Sequence, residues 1–414
     1  GALSSYVLSF LIAQKYGVEG NGVFALFMTY TVILSTFFYF GLDFYLVKKI
    51  SSLINEEKQA QIKQLYTTIL KSYILPFALL LLSSALFLYF FLDLLIYSLV
   101  AVGIILNVFI DINSAVFRGM KMAEWFSFFT QFSKYFFLLL LILFISNYDS
   151  SDSIIFLYLI SLSINCFLSL LVLRHYLRYN AYGDDITVGN GYSIKSIFKI
   201  SKEFFFSSII IITLVWVDFI FIDLFLSKDD AGIYSVALKI ATLISFSFTA
   251  FNAFLAPRIS ELHSDGQIKP LQKVITHNFV IVFPMVMIPF LMILFFKEDL
   301  LGFFGSEFVS GTTVLIWLAL GQLINCIFGP VSLLLQMTNN QRLFQNILII
   351  SFLIKTISAF IFVHFFSLEG VAAASFVGTA LWTIMGSYYV NKRVGIKSWF
   401  ELSDLRLMLQ NILK

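Results

Sequence analysis

The chain has 414 residues, 59% hydrophobic and 12% charged, with a formal net charge of +3 and a mean hydropathy of +0.91. A soluble domain carries about 25% charged residues. No globular core absorbs this much apolar surface, so the composition excludes a water-soluble protein and points to the bilayer as solvent. The two cysteines, Cys166 and Cys326, lie in separate apolar runs and the four histidines show no ligand spacing, so neither a disulfide nor a metal site is expected.

Apolar runs separated by polar breaks predict twelve spanning helices. The first, Gly1–Gln14, is shorter than the roughly 20 residues that a span needs, which implies that the start of the first helix is missing. The second is Gly22–Val47, followed by a charged segment, Lys48–Tyr66. Next come Thr67–Leu92 with Pro76, Leu94–Phe117, Trp125–Ser146 and Ser153–Leu173. The longest polar stretch, Arg174–Lys202, divides the chain near its middle. The second half reads Glu203–Ser227, Gly232–Pro257, Val274–Phe296, Val309–Met337 (broken at Gly329-Pro330), Leu343–Phe366 and Glu369–Val390. The tail, Asn391–Lys414, is amphipathic and suited to a membrane surface. The predicted architecture is all-α: a six-helix bundle over 1–173, a cytoplasmic linker over 174–202, a second bundle over 203–390 and a tail over 391–414.

Charge placement supports that count. With the start of the chain inside and the sides alternating, cytoplasmic segments take 21 of the 27 Lys and Arg, and outer turns take three, Lys15, Lys228 and Lys297. This asymmetry follows the positive-inside rule and puts both termini in the cytoplasm. The remaining three, Lys134, Lys239 and Lys355, fall inside helices.

A turn also occurs twice. Tyr16–Phe24 aligns with Leu226–Tyr234 at a shift of 210, with Glu19 on Asp229 and Gly22 on Gly232. An even number of helices separates the copies, which makes the two halves parallel repeats. At the same shift Thr29 stands where the second half has Lys239.

An ionisable side chain in mid-helix costs roughly 2.5–3.5 kcal/mol and usually faces a cavity or a partner. Lys134 lies nine residues past Trp125, about 14 Å deep. Lys355 is near mid-helix, and Lys239 is about 10 Å from the outer face. Among the acids, Asp218 is deep, Asp111 lies in the inner half and Asp43 is shallower. Polar residues at helical steps accompany them: Asn107 with Asp111, Ser114 and Arg118; Gln131 with Lys134; Thr36 and Tyr39 with Asp43; Ser351 and Ser358 with Lys355; and Gln322 with Asn325. The stripes predict a polar cavity between the halves. Its cations, Lys239, Lys134 and Lys355, would meet something anionic such as phosphate. The acids Asp43, Asp111 and Asp218 would balance those charges or carry a coupling ion, H+ or Na+. The alternative is structural pairing, for example Asp218 with Lys239 on adjacent helices. No catalytic residues, nucleotide-binding motif or further cofactor are expected, and transport is the job that twelve helices with almost nothing outside the membrane suggest.

The stretch Ala13-Gln14-Lys15-Tyr16-Gly17-Val18-Glu19-Gly20-Asn21-Gly22-Val23-Phe24, together with Phe40-Gly41-Leu42-Asp43 and Glu369-Gly370-Val371-Ala372-Ala373-Ala374, resembles polysaccharide flippases of the multidrug/oligosaccharidyl-lipid/polysaccharide (MOP) exporter superfamily. Val18 stands where that family often has proline, and Lys228-Asp229-Asp230 replaces a glycine-richer turn. The resemblance implies two six-helix bundles working by alternating access. It implies an undecaprenyl-pyrophosphate-linked oligosaccharide (an O-antigen or capsule repeat unit) as substrate, moved from the inner to the outer leaflet of a bacterial plasma membrane. It implies membrane lipids as partners, with a polysaccharide polymerase and a chain-length regulator alongside, and no nucleic acid. In the family the first, second, seventh and eighth helices line much of the cavity, which raises Asp43, Asp218 and Lys239. Competing readings are a multidrug or lipid II exporter of the same superfamily and a polytopic polymerase or acyltransferase. The short outer turns count against the enzyme, and three buried lysines count against a cationic substrate.

Overall fold

The computed structural model describes residues 2–56, 58, 60–90, 95–144, 152–179 and 194–399. All of their regular structure is helical, and ten helices among them are long and apolar enough to cross a membrane. The chain is a multi-pass membrane protein. Its contacts divide it into two compact units, Gly1–Trp216 and Val217–Lys414.

The first unit contains α1 (Ala2–Tyr39), α2 (Leu42–Asn55), α3 (Ala60–Phe90), α4 (Leu95–Gly119), α5 (Ala123–Ser127), a π-turn (Phe128–Phe132), α6 (Ser133–Phe144) and α7 (Ser153–Tyr179). α4 is its centre, packed against α1, α2, α3 and α7. α1 is two arms. Gly17 has φ 67° and ψ −161°, a conformation essentially reserved for glycine. Ser9 and Asn21 would lie about 18 Å apart along one continuous helix, yet Ser9 Oγ donates to Asn21 Oδ1 at 3.3 Å. The chain therefore folds back at Gly17, within the first copy of the repeated turn.

The predicted second helix ends early. Phe40 (φ 51°) and Gly41 (φ 69°) break it before Asp43. α2 then starts afresh as an amphipathic helix whose Leu42, Leu46, Ile50 and Leu53 are fully buried in the core of this unit. Thr36, Tyr39 and Asp43 thus do not form one continuous helical stripe. Asp43 instead stands in the first turn of α2, where the helix dipole favours an acid.

α8 (Ile194–Phe225) begins in the first unit and ends in the second. The second unit continues with α9 (Lys228–Ser264), α10 (Ile268–Gly302), a 3₁₀ turn (Ser306–Gly311), α11 (Thr312–Ile327), α12 (Val331–Met337) and α13 (Gln341–Val394). The second copy of the repeated turn contracts to a capping box. Ser227 Oγ accepts from Asp230 N at 3.1 Å, and Asp230 Oδ2 accepts from Ser227 N at 3.0 Å. α13 is again two arms, broken at Ser367 (φ 48°, ψ −128°). A Cβ on Gly370 would lie 2.2 Å from the Phe362 carbonyl oxygen, eight residues back, so this segment also turns on itself. α1 and α13, each one of the ten long apolar helices, are thus both bent into two arms.

Beyond α13 the chain runs without helix through Gly395–Trp399. Gln272 of α10 grips it from both sides, Nε2 donating to the Lys397 carbonyl at 3.1 Å and Oε1 accepting from Lys397 N at 2.8 Å. Ile396 and Ser398 are fully buried. Gly329, at the break between α11 and α12, admits the Ser398 carbonyl where a Cβ would come within 2.3 Å of it. The remainder of the predicted amphipathic tail and the middle of the central linker, 180–193, lie outside the described residues.

Candidate functional site

The charges read from the sequence fall into two groups, one in each unit. In the first unit, Asp111 of α4 lies within Coulombic range of Lys134 of α6 and Asp43 of α2. All three are half-buried. Tyr39, at the end of α1, is buried within Coulombic range of both acids and donates its hydroxyl to the Asp111 carbonyl at 3.1 Å. Lys134 Nζ stands 5.1 Å from the centre of the Tyr135 ring, and no carboxylate lies within 4 Å of it among the described residues. Asn107 keeps its place on the α4 stripe, with its amide donating to the Gly103 carbonyl at 3.0 Å. Gln131, expected on the Lys134 stripe, lies in the π-turn that precedes α6. It is exposed there.

In the second unit, Asp218 of α8 is paired with Lys355 of α13, not with Lys239. Lys355 Nζ is 2.9 Å from Asp218 Oδ2, and the two side chains are 5% and 3% exposed. The fully buried Tyr234 of α9 donates its hydroxyl to the same oxygen at 2.7 Å. Asp218 Oδ1 and Ser351 Oγ, the latter one turn before Lys355, are buried with no hydrogen-bond partner among the described residues. Gly378 faces the lysine stem, where a Cβ would come within 2.8 Å of Lys355 Cβ. Lys239 is half-buried one turn beyond Ser235 on α9, and its carbonyl accepts from the Thr242 hydroxyl at 2.7 Å. Gln322 and Asn325 are half-buried on α11.

The three intramembrane lysines are therefore not equivalent. An ion pair as enclosed as Lys355–Asp218 is held by its neighbours, and loss of either partner leaves an uncompensated charge costing about 3–5 kcal/mol. Lys134 is half-buried and has no ion-pair partner among the described residues.

A third polar set was not anticipated. Ser161, Asn165 and Ser169 repeat every four residues on α7 and are fully buried. Asn165 Nδ2 donates to the Phe129 carbonyl at 3.0 Å, and Asn165 Oδ1 accepts from the Ser133 hydroxyl. The Ser161 hydroxyl donates to the Lys134 carbonyl. Ser169 Oγ accepts from Asn113 Nδ2 at 2.9 Å, and Asn113 Oδ1 accepts from the Tyr66 hydroxyl at 2.7 Å. The spacing was visible in an otherwise apolar helix, but the stripe carries no charge to draw the eye.

The fold is that of the MOP superfamily transporters. The chain superposes on an inward-facing multidrug-resistance MATE transporter with a TM-score of 0.74, at 14% identity, covering 95% of this chain and 94% of that one. It superposes on the inward closed conformation of the lipid II flippase MurJ with a TM-score of 0.70, at 15% identity, covering 100% of this chain and 88% of that one. A MOP superfamily transporter from Pyrococcus furiosus, described as having a binding pocket of reversed polarity, gives 0.63 at 15% identity over 95% and 92% of the two chains. The chain belongs to the polysaccharide biosynthesis protein family, whose model matches residues 1–263. Over 212 residues it is 27% identical to the probable low-salt glycan biosynthesis flippase Agl15 of Haloferax volcanii, which is 51% of this chain and 44% of that protein. The matched region spans less than half the length of that curated relative.

Proposed function

We propose that the protein flips a glycan carried on a polyprenyl pyrophosphate, of the undecaprenyl type, from the inner to the outer leaflet of the plasma membrane. The glycan would be an O-antigen or capsule repeat unit. Transport would proceed by alternating exposure to the two sides, driven by H+ or Na+. Membership of the polysaccharide biosynthesis family and the likeness to a glycan flippase support the substrate class. One observation carries the residue-level reading: Lys134 is a half-buried lysine in mid-span with no carboxylate in ion-pair contact among the described residues. Keeping an ammonium at that depth is costly, and a pyrophosphate offers several anionic oxygens to an ammonium donor. Lys239, also half-buried, is the second candidate contact. Lys355 is engaged by Asp218 and would serve the fold before the substrate. Asp43 and Asp111 are the candidates for ion coupling in the first unit.

The test is flux in liposomes of a short-chain polyprenyl pyrophosphate bearing one fluorescent sugar, read by quenching of the outer leaflet. Wild-type protein should flip it, and Lys134→Ala should slow flux at least tenfold while Lys134→Arg retains part of it. Equal flux of a cationic dye, with none of the pyrophosphate lipid, would overturn this reading in favour of drug export.

A further inference from the structure

The fifth span is not a plain α-helix. Between α5 and α6 the Ser133 amide donates to the carbonyl of Phe128, five residues back. In an α-helix it would donate to Phe129. The Phe129 carbonyl thereby loses Ser133 N, the donor it would have in an α-helix, in a span where lipid cannot replace it. Asn165 of α7 closes the gap. Its amide nitrogen donates to the Phe129 carbonyl at 3.0 Å, while its amide oxygen takes the hydroxyl proton of Ser133. One turn earlier on α7, the Ser161 hydroxyl donates to the carbonyl of Lys134 itself. Ser133, Ser161 and Asn165 are all 0% exposed.

A π-turn inserts one residue into the helical count, so everything after it rotates by about 100° relative to an uninterrupted α-helix. The side before the turn is fixed by aromatic packing, with Trp125 stacked on Phe129 at 5.7 Å and Phe129 on Phe117 at 5.6 Å. The rotation therefore falls on α6, and Lys134 is its second residue. With the π-turn in place Lys134 stands half-exposed and in Coulombic range of Asp111. Without it the lysine would point to a different sector.

We propose that Asn165 and Ser161 are positioning residues for Lys134: they hold the π-turn open and so select the face on which that ammonium is presented to an anionic headgroup. The inference rests on the transport reading for its purpose, but not for its geometry.

Two measurements separate these. First, with Cys166 and Cys326 replaced by Ala, a single cysteine is placed at Lys134 or, as a control before the π-turn, at the exposed Ser127, and its modification rate by a charged methanethiosulfonate is compared with and without Asn165→Leu. The expected result is a change of at least tenfold at position 134 and less than twofold at 127. A change at both positions, or at neither, overturns the proposal. Should Asn165→Leu fail to reach the membrane, Ser161→Ala takes its place, with about a threefold change expected at 134 alone and the same overturning outcomes. Second, flux of the fluorescent polyprenyl pyrophosphate is measured for Asn165→Leu, Lys134→Ala and the double variant. If Asn165 acts through Lys134, the double variant is no slower than Lys134→Ala. Multiplying defects would overturn the positioning role. Unchanged flux in Lys134→Ala would sink the headgroup contact instead, and the labelling pattern alone would then decide the π-turn.

Discussion

Asp218 and Lys355, 137 residues apart in sequence, meet at 2.9 Å inside the second unit, with Tyr234 closing on the same carboxylate oxygen. Two helices that are distant in the chain are thus joined by a contact that lipid cannot replace. Lys355→Met alone leaves Asp218 charged and enclosed, and is expected to cost about 3–5 kcal/mol. Asp218→Asn with Lys355→Met together should recover most of that loss. Both free cysteines are buried, so a thiol-reactive dye reports unfolding in detergent, and melting curves of the three variants give the comparison. A double variant as unstable as the single one would show that the pair is not the source.

Gly378 tests the same contact from the other side. A methyl group there would meet the Lys355 stem at 2.8–3.0 Å. Gly378→Ala should destabilise by about 1–3 kcal/mol through overpacking. The loss should shrink in the Lys355→Met background, where the stem is more adaptable. The same dye assay reads it.

Two hairpin bends invite opposite substitutions. Gly17 has room for a side chain, with nothing within 4 Å of a built Cβ, but its backbone conformation is strained for any residue with one. Gly17→Ala should therefore cost about 1–3 kcal/mol despite the open space. Ser367 already bears a positive φ of 48°. Ser367→Gly should stabilise the protein by about 1 kcal/mol, seen as a higher melting temperature.

The cap at the start of α9 is a smaller, separable quantity. Ser227→Ala removes an acceptor for Asp230 N and should cost about 1 kcal/mol. Asp230→Ala should cost a similar amount. Because the two residues act reciprocally, their combined effect should be less than the sum, as a double-mutant cycle would show.

Most of the fold was legible because each span must be apolar and each turn polar. The break at Ser367, between the predicted eleventh and twelfth helices, fell where Phe366 ends one apolar run and Glu369 opens the next. The break at Phe40-Gly41 was not legible, because both residues sit inside an apolar run and only their dihedral angles separate α1 from α2. The intramembrane charges could be listed from sequence, but their pairing could not. Lys239 is near Asp218 in the chain, whereas Lys355 reaches it only through the packing of α13. The α7 stripe was missed for a related reason. Its neutral side chains answer to carbonyl groups on another helix, and a backbone carbonyl freed by a π-turn leaves no mark in the amino-acid code.

The Gln272 grip on Lys397 has a mechanical consequence. The segment after α13 is fastened to α10 by two amide–backbone hydrogen bonds and the seating of Ile396. Tension applied beyond Trp399 would load α10 as well as the helix that precedes it. A force probe or tag attached there would therefore report on the motion of α10, and Gln272→Ala would uncouple it.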